Sequence, residues 1–217
     1  MRLLLICLSM SFVLAACNNQ TKEYSETGEK KENAKISAAG DAYNVMAEES
    51  TVDWIGKKIG KEHEGNINIS TGVFYVDGQK ITGGEFVLDM NSIVNNDLSD
   101  DVMNAKLIGH LKSEDFFEVI TYPTAKFELI GASPITDEDD NTHKVEGNLT
   151  IKDVTKSISF PASIHMDGGS LTATADIVFN RADWNIRYGS ESHFPDLVAD
   201  QIISNSIELE LSIMAKK

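Results

Sequence analysis

Basic residues are scarce in this chain. Lys and Arg number 19 against 34 Asp and Glu, a formal net charge of −15 at pH 7. Phosphate backbones are held by clustered cations, so nucleic acid is excluded as a partner. The same charge would hold the chain off an anionic bilayer unless something tethers it. Cysteine is scarcer still: Cys7 and Cys17 are the only 2, and both precede residue 18. The chain beyond them has no disulfide and no cysteine nucleophile. Long apolar runs are also missing, since the stretch inside MRLLLICLSMSFVLAAC is too short to span a bilayer. Arginine beyond Arg2 occurs only at 181 and 187.

What stands at the front is a leader. Arg2 precedes an apolar run that ends in Leu14-Ala15-Ala16-Cys17. This is the layout of a signal segment, and its ending resembles a bacterial lipobox. Residues 1–17 therefore read as a lipoprotein signal peptide, with Cys17 as the lipidated first residue of the mature chain. More than one acyl chain is what makes such anchoring stable. Asn18 is not aspartate, which by resemblance to lipoprotein sorting favours the outer membrane, facing periplasm or surface. Residues 18–42 hold almost nothing apolar and alternate Lys with Glu. They read as a flexible polar spacer.

From 43 to 217 the pattern has period two. Val52 and Trp54, Ile67 and Ile69, then Phe86, Leu88 and Met90 alternate with polar neighbours. So do Ala125, Phe127 and Leu129; Val145, Gly147, Leu149 and Ile151; and Ile158, Phe160, Ala162 and Ile164. The last runs place Leu171, Ala173, Ala175, Ile177 and Phe179 on one face, and Ile207, Leu209, Leu211 and Ile213 on another. Such runs are antiparallel strands with one dry face. DGQ at 77–79, DEDDN at 137–141 and DGG at 167–169 are turn chemistry. About eight strands with no long helices to cover them must close on themselves, so an all-β barrel is expected. The small inward residues Ala125, Gly147, Ala162, Ala173 and Ala175 either leave a cavity or suit the taper of a solid barrel.

One segment, 97–111, lacks the alternation. Ser99 followed by two aspartates predicts an N-cap and a short helix, with Val102, Met103, Leu107 and Leu111 on one side. Ser113 repeats the cap before Glu114 and Asp115, and Phe116 and Phe117 then turn inward. His110 with Glu114 would be a two-ligand metal site, too few for a strong one. No metal and no cofactor is expected.

The same stretch, GHLKSEDFFEVITYPTAKFELI, resembles the signature of the YceI-like polyisoprenoid-binding family. VEGNLTIKDVTKSISFPASI, GGEFVLDMNSI and NRADWNIRYGS resemble its other blocks in order, over roughly 43–215. Asp153 stands where glycine is common, and ESHFPDLVADQI departs from the pattern. The resemblance implies an extended lipocalin-like eight-stranded antiparallel barrel with one or two short helices. Its lumen would hold an isoprenoid-type lipid, a polyprenyl or quinone tail. The expected lining is Trp54, Ile67, Ile69, Phe86, Leu88, Phe116, Phe117, Phe127 and Leu129, continuing with Leu149, Ile151, Phe160, Ala173, Ala175, Ile177, Phe179 and Trp184. Arg181, Arg187 and Tyr188 are head-group candidates, because guanidinium suits phosphate or carboxylate. The alternative for Arg181 is a brace on a strand end, through Asp183 or an aromatic.

Two other readings stand beside lipid binding. One is a structural or adhesive envelope lipoprotein with a solid core. The other is a hydrolase or isomerase using His63, His110 or His193 with acids, although no nucleophile elbow is visible. No catalytic residue is assigned. Expected partners are the lipid, the membrane through the N-terminal anchor, and a second copy as a homodimer.

Overall fold

A computed structural model of the protein describes residues 24–32, 36–137 and 139–217. The signal peptide, Cys17 and Asn18 lie outside the described residues. The described chain forms ten strands: β1 Glu26–Glu29, β2 Asp41–Val45, β3 Thr51–Lys58, β4 Lys61–Asp77, β5 Lys80–Asn95, β6 Thr124–Pro134, β7 His143–Ile151, β8 Val154–Asp167, β9 Ser170–Asn180 and β10 Ile203–Lys216. One α-helix, α1, spans Asp101–Lys112.

Strands β3 to β10 pair antiparallel with their neighbours in chain order. β10 then pairs back onto β3, from Ile203↔Lys58 to Ser212↔Thr51, and closes an eight-stranded barrel. The two remaining strands are patches on its seams. β2 continues the line of β3 after a 3-10 turn at Ala47–Glu49, and bonds β4 and the end of β10.

β1 lies in a second seam. β8 and β9 pair only from Ser163↔Thr174 to Asp167↔Ser170. Where they part, β1 pairs with β8 from Glu26↔Ser159 to Glu29↔Lys156, and Ser25 N donates to Val178 O of β9 at 2.7 Å. This corrects the reading of 18–42 as spacer throughout. The segment buries little apolar surface, but it covers strand edges that would otherwise stay unpaired. Its alternating charges meet partners on the barrel: Glu26–Lys144 at 2.9 Å, Glu29–Lys156 at 2.7 Å and Lys31–Glu146 at 2.9 Å.

The helix is shifted from its expected start. Asp100, not Ser99, is the N-cap, and its carboxylate accepts from Met103 N at 2.9 Å. Val102 is exposed rather than inward, while Met103, half-exposed, joins Leu107 and Leu111 on the side that faces the barrel mouth. Ser113 ends the helix: its hydroxyl donates to His110 O at 2.8 Å and accepts from Asp115 N at 3.3 Å.

Every connection after an odd-numbered barrel strand falls at one end of the meander. These are the β3–β4 turn, the 96–123 segment with α1, the β7–β8 turn and the 181–202 segment. The opposite end is plugged by Val76, Ile81, Leu171 and Ala215, all essentially inaccessible.

Gly147 shows how the wall handles bulk. A Cβ there would lie 2.3 Å from the Phe127 ring and 2.7 Å from Glu128 O. The small residue makes room for a phenylalanine against the wall and does not itself open the lumen. Gly147→Ala is expected to destabilise the fold by about 1–3 kcal/mol, because the carbonyl cannot step aside. Denaturant unfolding measures this, and an unchanged midpoint would show that the wall can relax.

Candidate functional site

The barrel interior contains two chambers. The inner one, about 130 Å³, has an apolar wall that includes Ile69, Phe86, Phe127, Leu129, Phe160, Ala173, Ala175 and Ile177. The outer one, about 770 Å³, is lined by Trp54, Ile67, Phe116, Phe117, Ile151 and Phe179 and reaches the end of the barrel that carries α1. Leu88, Leu149 and Leu209 line both chambers and form a waist between them. Ligand sites of small molecules fall at about 300–1,000 Å³, so the outer chamber is of binding size.

Period-two alternation places these side chains. Successive strand residues face opposite sides of a sheet, and each run read as inward does line a chamber. Phe74 and Val52 also line the inner chamber. Phe74 escaped the sequence reading because it sits in Val73-Phe74-Tyr75-Val76, where four apolar residues in a row hide the phase.

Two expected site residues fall elsewhere. Trp184 is fully buried behind the wall, where its Nε1 donates to Leu149 O at 3.0 Å and its ring meets Phe179 edge-on at 5.0 Å. It supports the lining without joining it. Arg187 is exposed and donates to Asn185 Oδ1 at 2.8 Å, away from both chambers. The 3-10 turn Arg181–Trp184 and the left-handed Asn185 reverse the chain and carry Arg187 outside.

Arg181 does border the outer chamber. Only 1 % of it is exposed. Its guanidinium donates to four backbone carbonyls: Ser204 O at 2.9 Å, Ile186 O at 2.7 Å, Tyr188 O at 2.8 Å and Ile203 O at 3.1 Å. Burial pushes its pKa down to about 10, still protonated at neutral pH. Of the brace expected through Asp183 or an aromatic, the aromatic contact is present, with Phe116 under the guanidinium, and main-chain carbonyls take the place of Asp183. Asp183 accepts from Thr27 Oγ1 at 3.3 Å.

The His110 stretch is a clasp over the outer chamber. His110 Nε2 lies 3.0 Å from Asp115 Oδ2, so its partner is Asp115 and not Glu114. Its ring packs edge-on against Phe116 at 5.0 Å and Tyr188 at 4.7 Å. Arg181 stands over the Phe116 ring at 5.7 Å. The set ties α1 to the 181–202 segment across the mouth.

At the other end of α1, Asp97 accepts from Glu64 N at 3.0 Å and meets His63 Nδ1 at 2.8 Å and Asn95 Nδ2. Partial burial works against its charge. The Glu64 N–H, His63 and Asn95 outweigh that and hold the carboxyl below its ordinary range. His193 is placed apart, with its Nδ1 3.1 Å from the hydroxyls of Ser190 and Ser192. Among the described residues, no three His, Cys, Asp or Glu side chains assemble as a metal-holding group.

Residues 43–215 match the description of the YceI-like domain. The chain belongs to the YceI-like family. Its barrel is similar in structure to Burkholderia cenocepacia BcnA, with 21% identity and a TM-score of 0.60 over 84% of this chain and 100% of that one. It is also similar to a polyisoprenoid binding domain from Saccharophagus degradans implicated in plant cell wall breakdown. There the identity is 16% and the TM-score 0.58, over 80% of this chain and 97% of that one. No curated protein matches the chain. At these identities the two structures establish the shared barrel. The chambers are properties of this YceI-like chain's own side chains.

The two arginines separate by test. Arg181→Met strips the donor from four carbonyls, and an unsatisfied buried polar group costs roughly 1–3 kcal/mol, so a loss of at least about 3 kcal/mol is expected. Arg187→Ala should stay within about 0.5 kcal/mol of the parent. Urea unfolding of both variants measures the contrast, and equal midpoints would contradict the brace.

Proposed function

We propose that this chain holds an isoprenoid-type lipid, a polyprenyl or quinone tail, in the barrel lumen, and that it carries or sequesters that lipid as a membrane-anchored envelope lipoprotein. The observation that carries the reading is the pair of chambers joined at the leucine waist. A hydrocarbon chain has no donors or acceptors to satisfy, so a dry inner chamber suits it, and its burial is driven by the hydrophobic effect. The outer chamber adds what a head group needs. Arg181 supplies a fixed positive charge and Tyr188 an aromatic edge beside it. Isoprenoid in particular, rather than any hydrocarbon, rests on family membership and on what the Saccharophagus degradans domain is named for binding.

Ala175→Phe tests the lumen. Ala175 lines the inner chamber opposite Leu211 of β10. If the space is a lipid site, the added ring fills it. Lipid recovered by extraction then falls, and the delipidated variant melts no lower than delipidated parent. If the protein holds no lipid and the ring only overpacks the core, the melting temperature drops, at a cost of about 1–3 kcal/mol. That second pattern, with a parent that never yields an apolar species by native mass spectrometry, would overturn the reading.

Anchoring has its own test. Cys17→Ser should abolish incorporation of labelled palmitate in a bacterial host while leaving the barrel folded, since β1 begins at Glu26. A parent chain that takes up no label removes the anchor from the proposal and leaves the lumen untouched.

A further inference from the structure

The inner chamber has unlike walls. Phe74, Phe86, Phe127 and Phe160 border it as a run of touching rings, with successive centroids 4.8, 6.2 and 5.9 Å apart. They come from β4, β5, β6 and β8. On β7, between them, Gly147 stands between Val145, opposite Phe160, and Leu149, opposite Phe127. The missing Cβ there lets the Phe127 ring lie flat against the wall. Across the barrel from Phe86, on β9, stand Ala173 and Ala175. The packed rings hold one wall still, and the alanines leave the space in front of it.

That space is small and dry. It measures about 130 Å³. A protein cavity of about 150 Å³ lined by Leu, Ile and Phe stays empty of water and binds benzene. The inner chamber therefore takes about five or six carbon atoms, the size of one isoprene unit. Its surface is wholly apolar: no polar atom of Lys126 or Thr174, the two polar residues on its border, is exposed to it. The Lys126 ammonium pairs instead with Glu85 at 2.8 Å and Glu128 at 3.4 Å. Val76, Ile81, Leu171 and Ala215 plug the end of the barrel beyond it. A ligand reaches it from the outer chamber, past Leu88, Leu149 and Leu209.

We infer that the inner chamber is an end pocket: it seats the terminal isoprene unit of a prenyl tail and selects ligands by the end of the tail farthest from the head. The inference rests on the lumen reading above and adds which end of the ligand enters and what that end must be. A head group is refused, because nothing in the chamber bonds to it and a buried polar group without a partner is penalised. The groups that suit a head, Arg181 and Tyr188, border the outer chamber. The middle of a tail is refused as well. It would have to enter past the leucines, turn, and leave past them again, which needs more carbons than the chamber holds. An end fits, and a hydroxyl on that end meets the same dry surface that refuses a head. Ala173 is thus a specificity-determining residue: it faces the chamber between Ile164 of β8 and Ile213 of β10, and its short side chain leaves room for the terminal unit.

Two probes test this on the delipidated chain: geranylgeraniol, and the same alcohol with a second hydroxyl on its terminal unit. Each is delivered from cyclodextrin, and binding is followed by the fluorescence of Trp54, which lines the outer chamber. The parent should bind the first at least about tenfold more tightly than the second. In Ala173→Leu the chamber is filled, the terminal unit of either probe stays in the outer chamber, and the two should bind alike. Equal binding of both probes to the parent overturns the end pocket and leaves the lumen reading standing. Binding of neither overturns the lumen reading and the end pocket with it. A preference that persists undiminished in Ala173→Leu also overturns the end pocket, because the rejection then arises elsewhere.

A measurement on the parent alone needs no variant to fold. With geranylgeraniol bound, nuclear Overhauser contacts to the methyl groups of Ala173 and Ala175 should come from the terminal methyls of the probe and not from its carbinol. Contacts from the carbinol, or from the middle of the tail, overturn the inference.

Discussion

Everything inside this barrel depends on one long-range pairing, that of the last strand with the first barrel strand. Leu209 and Leu211 of β10 stand opposite Trp54 and Val52 of β3 on one side and Ile177 and Ala175 of β9 on the other. Without that closure the same residues would form the apolar face of an open sheet with two raw edges. With it they enclose a tube, and eight strands give a tube just wide enough either to be filled by side chains or to hold one ligand. Which outcome follows is decided by the sizes of the inward residues, so closure turns a local choice of alanine or leucine into a functional one.

This wall keeps its aromatics off the axis by pairing them with glycines. Phe127 lies where Gly147 would carry a Cβ, and the Trp54 ring would meet a Cβ on Gly65 at 2.7 Å. Trp54 is further held by its Nε1 bond to Val94 O at 3.2 Å. Each ring therefore leans into a gap in the neighbouring strand instead of crossing the lumen. The alanines at 173 and 175 stand without such a partner ring, and their short side chains border the inner chamber. Glycines take up the bulk of the rings and alanines leave space, although both are small residues at inward positions. The sequence alone does not distinguish those two uses.

Most of the fold was legible because a half-buried antiparallel strand writes its geometry into every second residue. The runs around Phe86, Phe127 and Phe160 and from Leu171 to Phe179 have that form, and each lines the interior. Legibility failed where the stabilising contacts leave no apolar trace. β1 is held by main-chain hydrogen bonds and exposed ion pairs, and its sequence, ETGE, looks like linker. The site was legible in the same uneven way. Chamber residues followed from phase. Trp184 and Arg187 could not be placed because they belong to a reversal of the chain, where period two ends. The helix cap moved from Ser99 to Asp100 because both residue types cap well, and the register of Asn104 decides between them. Asn104 Nδ2 donates to Asn95 O at 3.0 Å and to Leu98 O at 3.1 Å, which sets where the first turn begins.

Arg181 joins the two halves of the site. The 181–202 segment has no sheet to satisfy its carbonyls, and a buried carbonyl without a donor is costly. A guanidinium can serve several at once because its five N–H groups point outward from one rigid plane. Lysine would offer fewer donors with no fixed fork, and an apolar side chain would offer none. The same bonds that hold the lip of the mouth fix the charge beside the outer chamber, with Phe116 under it and His110 and Tyr188 next in the stack. A cation held by carbonyls keeps its full formal charge, whereas one paired with a carboxylate would be neutralised. It also cannot swing out to meet a ligand. The outer chamber is thus bordered by a positive charge whose position is set by folding and that needs no reorganisation to act there.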